Sequence, residues 1–279
     1  MIQTVTSPLR VLKLGGARGV RPALAVEDLA GRVAAGEHWV LVHGASAAAD
    51  ALAERLGVRV RRLEGANQQT SRYNDSAMIE IFAAAAAAEN QRLTAELARR
   101  GVRPVGLAGP AVLRGERKRA IRAVVDGRAL VVRDDHSGHL TGVDAGLLQR
   151  LLADGRVPVV APLALGGEGE MLNVDGDLAA AFLARDLAAF ELVILTNVPG
   201  LLRDPQDPAS LVERVPVEEL PAFRDLAHGR MRRKLEAAEQ SRCARVVLAD
   251  GRRERPIEAA LGGSGTHILR EVPREARSA

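Results

Sequence analysis

Short β-branched apolar runs alternate with longer stretches of 3.6-residue apolar period along most of this 279-residue chain. Residues 9–14, 39–43, 104–107, 157–161, 192–196 and 245–248 read as buried strands, with a shorter one at 58–63 and a last one after Gly262-Gly-Ser-Gly265. Residues 22–35, 46–56, 76–100, 144–153, 176–187 and 229–240 carry helical periodicity. Strands that are apolar throughout and separated by helices predict an α/β fold, with a mostly parallel sheet covered on both faces. Asp126-Gly127 between 120–125 and 128–133 predicts a tight hairpin, because both turn positions favour positive φ. A Gly-rich turn at 166–169 leads into the helix at 176, which places a lobe boundary there and divides the chain into 1–175 and 176–279.

Composition sharpens this picture. Hydrophobic residues make up 47% of the chain but aromatic residues only 2%, so the core is built from Leu, Val, Ile and Ala. The alanine run 83–88 gives the long helix a smooth face suited to close helix contact, as across a dimer axis. Lost periodicity at 1–7 and 270–279, with high charge in the second stretch, predicts disordered ends. A net charge of +4, without aromatic stacking platforms, argues against a nucleic-acid binder. No apolar stretch is long enough to span a bilayer, and the single cysteine, Cys243, fits a reducing, cytoplasmic setting as a core residue.

Of 39 basic residues only Lys13, Lys118 and Lys234 are lysines. Survival by drift would account for a few lysines, but Lys13 and Lys234 each sit in a motif that independently supports a compact point charge placed on a polyphosphate. Lys13-Leu-Gly-Gly16 ends the first strand, where open α/β sheets bind ligands and glycines let backbone approach an anion. His43-Gly-Ala-Ser46 repeats the arrangement after the second strand, with Ser46 as the expected N-cap and His43 as a packed turn residue. In Asn173-Val-Asp-Gly-Asp177, Asp177 either caps the following helix or orients nearby lysines, and Asn173 faces substrate. Thr196-Asn-Val-Pro-Gly200 forms a tight turn after a strand, and Arg72 precedes the long helix. The basic run Arg117-Lys118-Arg119, with Arg122, enters the hairpin either as a solvated face or as a docking site for an acidic macromolecule.

Taken in order, these motifs resemble the amino-acid kinase family over nearly the whole chain. The closest branch contains acetylglutamate kinase and the kinase that acts on 2-aminoadipate attached to an amino-group carrier protein. The resemblance implies a three-layer αβα sandwich with an acyl-substrate lobe and an ATP-binding lobe. It implies catalytic roles for Lys13, Lys234 and Asp177, and nucleotide contacts from Gly15, Gly16, Gly44, Thr196 and Asn197. Arg72, Asn173, Gly44 and Ala45 would bind the acyl substrate. ATP is the implied co-substrate, with Mg2+ carried on the nucleotide and no protein ligand for metal. Arg117-Lys-Arg119, Asp135-His-Ser-Gly138, Gly229–Lys234 and Ala249-Asp-Gly-Arg252 favour the carrier-dependent branch, whose carrier is small and acidic. A start almost on the first strand, without the helix that links hexameric acetylglutamate kinases, implies a homodimer.

Two positions depart from the family pattern. Ala45 stands where glycine is usual and adds a methyl where backbone must approach phosphate. Asn74 stands where threonine is common. The expected activity is phosphorylation of a side-chain carboxylate of carrier-borne 2-aminoadipate. Free N-acetylglutamate and a dual aminoadipate/glutamate carrier specificity are the alternatives within the fold, and a non-catalytic ligand-binding regulator is the alternative outside enzymology.

Overall fold

The computed structural model describes residues 7–17, 19–65, 70–125, 127–224, 227 and 229–271. The expectations for residues 1–6 and 272–279, and for Asp126 of the hairpin, lie outside them.

The chain opens with β1 (Arg10–Leu14), α1 (Pro22–Ala34), β2 (Trp39–His43) and α2 (Ser46–Arg55). A hairpin of β3 (Arg62–Gly65) and β4 (Thr70–Arg72) precedes the long α3 (Ser76–Arg99), which Asp75 caps by accepting from the Met78 N–H. There follow β5 (Pro104–Leu107), β6 (Leu113–Arg117), β7 (Ile121–Val125), β8 (Arg128–Val132), β9 (Gly138–Val143) and α4 (Ala145–Ala153). Next come β10 (Val157–Val160), β11 (Leu163–Leu165), β12 (Met171–Asn173), α5 (Gly176–Asp186) and β13 (Glu191–Thr196). The chain closes with β14 (Arg214–Pro216), α6 (Leu220–Phe223), α7 (Arg230–Ser241), β15 (Arg245–Asp250), α8 (Pro256–Leu261) and β16 (Thr266–Leu269).

Eight strands form the central sheet in the order β14-β16-β15-β13-β1-β2-β10-β5, and the β15–β16 pair is its one antiparallel junction. Strand parity sorts the core into two layers. Val11, Val40, Ile194 and Leu248 pack beneath α5 and α7, whereas Leu12, Leu41, Leu195 and Val247 pack beneath α1, α3 and α8. This is the expected three-layer αβα sandwich with a mostly parallel sheet. β1 pairs with β13, so the sheet runs without interruption past residue 176. Two four-stranded sheets, β12-β11-β6-β9 and β4-β3-β7-β8, sit beside it.

Several local expectations need correction. Residues 58–61 are not strand: Val58 and Val60 pack on the alanine-rich α2–α3 cluster, and pairing begins only at Arg62. Ser46 is the first helical residue of α2 rather than its cap; Ala45 holds the cap position without a side-chain hydrogen bond. The hairpin forms as expected, with Gly127 at φ +77°. Cys243 is buried, and burial pushes its thiol up to about 11, which suits a packing residue.

His43, the last residue of β2, lies in the core at 1% exposure. Asn90 of α3 donates to the Val159 carbonyl and places the same amide nitrogen 3.1 Å from His43 Nε2, a contact suited to an unprotonated ring nitrogen. Burial lowers the His43 pKa from 6.5 to about 4. The unfolded chain therefore takes up a proton between those values that the folded chain refuses, and stability present above pH 6.5 is lost as pH falls towards 4. From pH 7 to pH 5 this single group costs about 2 kcal/mol. Urea unfolding of the wild type and of His43→Gln at both pH values should show the variant losing less stability on acidification, by about that amount. Equal losses in the two proteins would remove His43 as the origin.

Candidate active site

Strand parity sets the position of the first cation. Lys13 shares its face of β1 with Val11, so its side chain emerges on the side of α5 and α7. There the Asp177 carboxylate of α5 bridges two ammoniums, with Lys13 Nζ 2.6 Å from Oδ1 and Lys234 Nζ of α7 2.7 Å from Oδ2. All three residues are less than a tenth exposed. Asp177 does not cap its helix. Asp175 does, its Oδ1 accepting from the N–H groups of Asp177 and Leu178, and this leaves the Asp177 side chain free for the lysines. Burial alone would raise the Asp177 pKa, but Lys13 and Lys234 overcome it and hold the carboxyl well below the usual range. Burial, with help from Lys13, lowers the Lys234 pKa against the pull of Asp177. Burial and the neighbouring Asp177 raise that of Asp175.

Beside this triad the two glycine turns touch. A Cβ on Gly16 would lie 2.3 Å from the Gly44 carbonyl carbon, and one on Gly44 would lie 2.4 Å from the Gly16 nitrogen. Mutual contact of the turns thus demands both glycines. The Gly15 and Gly44 N–H groups donate to the Leu195 and Leu14 carbonyls, so both glycines line the cavity with their own donors engaged within the fold. Among the described residues, the N–H groups of Gly16, Ala45 and Ser46 have no backbone acceptor, and they cluster at the N-terminus of α2. The Ala45 methyl is buried in the α2–α3 cluster, so it leaves that cradle open.

Arg72 is buried and already engaged: Nε and Nη2 donate to Asp50 Oδ1 at 3.1 and 2.7 Å, and Nη2 also donates to the Ser46 carbonyl. Arg62 holds the other oxygen of Asp50 at 3.2 Å. Asn74 ties this segment to the next loop, receiving Asn173 Nδ2 at 3.4 Å and donating to Ser137 Oγ. Thr196 and Asn197 close the opposite wall after β13.

These groups line one cavity of about 1080 Å³. It brings together Lys13, Gly15, Gly16, Gly44, Ala45, Arg72, Asn173, Asp177, Thr196, Asn197 and Lys234. The basic run does not stay together. Lys118 enters this cavity, Arg117 and Arg119 line a smaller pocket with Glu168 and Glu170, and Arg122 is exposed on the hairpin. Sequence reasoning missed Asp50, whose one signal is its place one helical turn after Ser46, and Arg233, one residue before Lys234. Seven basic side chains line the cavity against four acidic ones (Asp50, Asp175, Asp177 and Glu236), so it suits a polyanion. Among the described residues no cluster of His, Cys, Asp or Glu is placed to hold a metal, and no helix is long and apolar enough to cross a membrane.

Comparison with known proteins agrees with this geometry. The amino acid kinase family profile matches residues 8–241. A LysW-aminoadipate kinase of Deinococcus radiodurans is 40% identical over 264 residues, spanning 92% of this chain and 90% of that protein. One from Thermus thermophilus is 41% identical over 266 residues, spanning 92% and 99%. Among solved structures, N-acetylglutamate synthase from Neisseria gonorrhoeae, in complex with coenzyme A and N-acetyl-glutamate, superposes with a TM-score of 0.76 at 25% identity. That match covers 95% of this chain and 60% of the other. With a profile matched over most of its length and relatives at 40% identity, the chain belongs to the amino acid kinase family.

Proposed function

We propose that this protein uses ATP to phosphorylate the side-chain carboxylate of 2-aminoadipate carried on a small acidic amino-group carrier protein, giving an acyl phosphate for lysine biosynthesis. The observation that carries the proposal is the Lys13–Asp177–Lys234 triad at the wall of a cation-rich cavity. The activity of the aminoadipate kinase relatives supports the choice of acceptor.

In this reading an acceptor carboxylate oxygen attacks the γ-phosphorus in line. The new O–P bond forms as the bond to the bridging oxygen breaks, and ADP leaves with that electron pair. The nucleophile is already an anion, so no general base is required. Lys13 and Lys234 flank the transferring group and neutralise its charge, and Asp177 fixes their positions. The open N–H groups of Gly16, Ala45 and Ser46 cradle phosphate oxygens, and Thr196 and Asn197 hold the nucleotide. Mg2+ supplies further charge neutralisation when it arrives on the nucleotide. Asp177 is already saturated by two ammoniums and leaves the ion to the phosphates. Arg72 and Asn173 receive the acceptor beside the Gly44–Ala45 turn, so residues 1–175 form the acyl lobe and 176–279 the ATP lobe. Exposed Arg119 and Arg122 steer the acidic carrier, while Arg117 shapes the loop beneath them by donating to the Asp135 carbonyl. Exposed Ala84, Ala87 and Ala88 of α3 leave a smooth face for a homodimer.

Lys234→Ala should lower kcat by roughly 10²–10³-fold, the range for removing one preorganised charge-stabilising donor. Its urea midpoint should move little, because Asp177 keeps Lys13; an active variant would remove Lys234 from the transfer step. ATP consumption should be efficient with carrier-borne 2-aminoadipate and weak with free N-acetylglutamate, and the reverse order would assign the protein to the free amino acid. Reversing Arg119 and Arg122 to Glu should raise KM for the carrier-borne acceptor alone, and equal loss on both acceptors would make the hairpin structural.

A further inference from the structure

Lys118 has a different position from its two basic neighbours. Its N–H donates to the Ser137 carbonyl at 3.0 Å, which lays the end of β6 against the start of β9. Successive side chains along extended backbone point to opposite sides. Arg117 and Arg119 accordingly turn to the smaller pocket, and Lys118 turns into the main cavity. Once there, it has no carboxylate within ion-pair distance among the described residues, unlike Lys13 and Lys234. The cavity wall contributed by α7 carries Arg233, whose guanidinium is paired with Glu236 at 2.7 Å.

The electrostatics agree with this placement. Burial lowers the Lys118 pKa, and Arg233 lowers it further; Asp135, Asp175 and Glu236 oppose the shift without pairing. His139, also at the cavity wall, is lowered by burial and then by Lys118 and Arg233. A half-buried ammonium that shares a cleft with a guanidinium is stabilised by an anion between them. The acceptor side of the cavity is the adjacent one. Ser137, which holds Lys118, also receives Asn74 Nδ2 and bridges Asn173. Arg72 on that side is already paired with Asp50.

We propose that Lys118 and Arg233 form a second anion subsite, which binds a carboxylate of the acceptor other than the one phosphorylated. The subsite rests on the reading of the cavity as a carboxylate kinase, and it makes Lys118 a determinant of acceptor binding from inside the cleft rather than part of the outer docking face.

The scarcity of lysine makes a direct test practical. The full-length protein is treated with limiting acetic anhydride, and acetylation of Lys13, Lys118 and Lys234 is read by mass spectrometry. The unpaired Lys118 should react first, and adipate, a plain dicarboxylate, should protect it whereas inorganic pyrophosphate should not. Protection by pyrophosphate alone would assign the subsite to nucleotide phosphate and overturn the proposal, as would no protection by either. In kinetics, Lys118→Met should raise KM for carrier-borne 2-aminoadipate about tenfold, as for loss of one charge-assisted hydrogen bond, with KM for ATP nearly unchanged and Lys118→Arg recovering most of the loss. An unchanged acceptor KM would overturn the subsite. If the wild type shows no turnover but adipate still protects Lys118, the phosphoryl-transfer reading fails and the subsite stands. Turnover without protection, and with an unchanged KM in Lys118→Met, removes the subsite and keeps the reading.

Discussion

The carboxylate of Asp177 is the constraint on which the site depends. Two buried ammoniums a few ångströms apart would repel by about 4 kcal/mol at an effective dielectric constant near 20. One carboxylate between them removes that repulsion and leaves the triad with a single net positive charge directed at the cavity. The same contact joins β1, α5 and α7, three elements widely separated in the sequence. Burial by itself would protonate Asp177, and its two partners prevent this, so the charge that organises the site is maintained by the groups it organises.

A second constraint is steric. Gly16 and Gly44 meet at distances that no side chain tolerates, and this contact brings the ends of β1 and β2 to one point of the crevice. The approach has an electrostatic result. It places the Gly16 N–H, which has no backbone acceptor among the described residues, beside those of Ala45 and Ser46 at the start of a helix without a side-chain cap. Such a helix start without an acceptor is destabilised in isolation and favours an anion. The packing requirement and the ligand requirement therefore fall on the same residues, and this is why the glycines looked like phosphate contacts even where their own N–H groups are engaged elsewhere.

Much of the architecture was legible because the relevant information is local. Apolar runs such as Trp39-Val-Leu-Val-His43 mark buried parallel strands, and the parity of Val11 and Lys13 already fixes the face on which the lysine emerges. What was not legible depends on distant partners. α8 is short, six residues from Pro256 to Leu261, and it starts where the N–H groups of Ile257 and Glu258 find the carboxylate of Asp28, some 230 residues earlier, a partner that the local sequence does not show. β6 and β9 alternate in burial, but glycines such as Gly115 and Gly138 take inward positions, so no apolar period marks them as strands. The Arg72–Asp50 pair crosses from the β3–β4 hairpin to α2, and neither residue alone suggests the other. Helix caps misled for a related reason: Ser46 and Asp177 have suitable chemistry, but Ala45 and Asp175 occupy the geometry.

The distribution of lysine and arginine follows from the same separation of local and distant demands. Arginine serves where a planar fork meets a carboxylate at or near the surface, as in Arg252 with Asp250 and Arg92 with Glu89. All three lysines line the central cavity. A guanidinium at position 13 or 234 would meet Asp177 as a flat, bidentate partner and direct its charge along the plane of that pair. An ammonium gives one hydrogen bond to the carboxylate and keeps further N–H donors for a tetrahedral ligand that changes shape as it transfers. Among the described residues Lys118 has no carboxylate partner, and its donors are kept for a ligand. The scarcity of lysine that drift could explain for two positions becomes a property of the cavity once the third is found there as well.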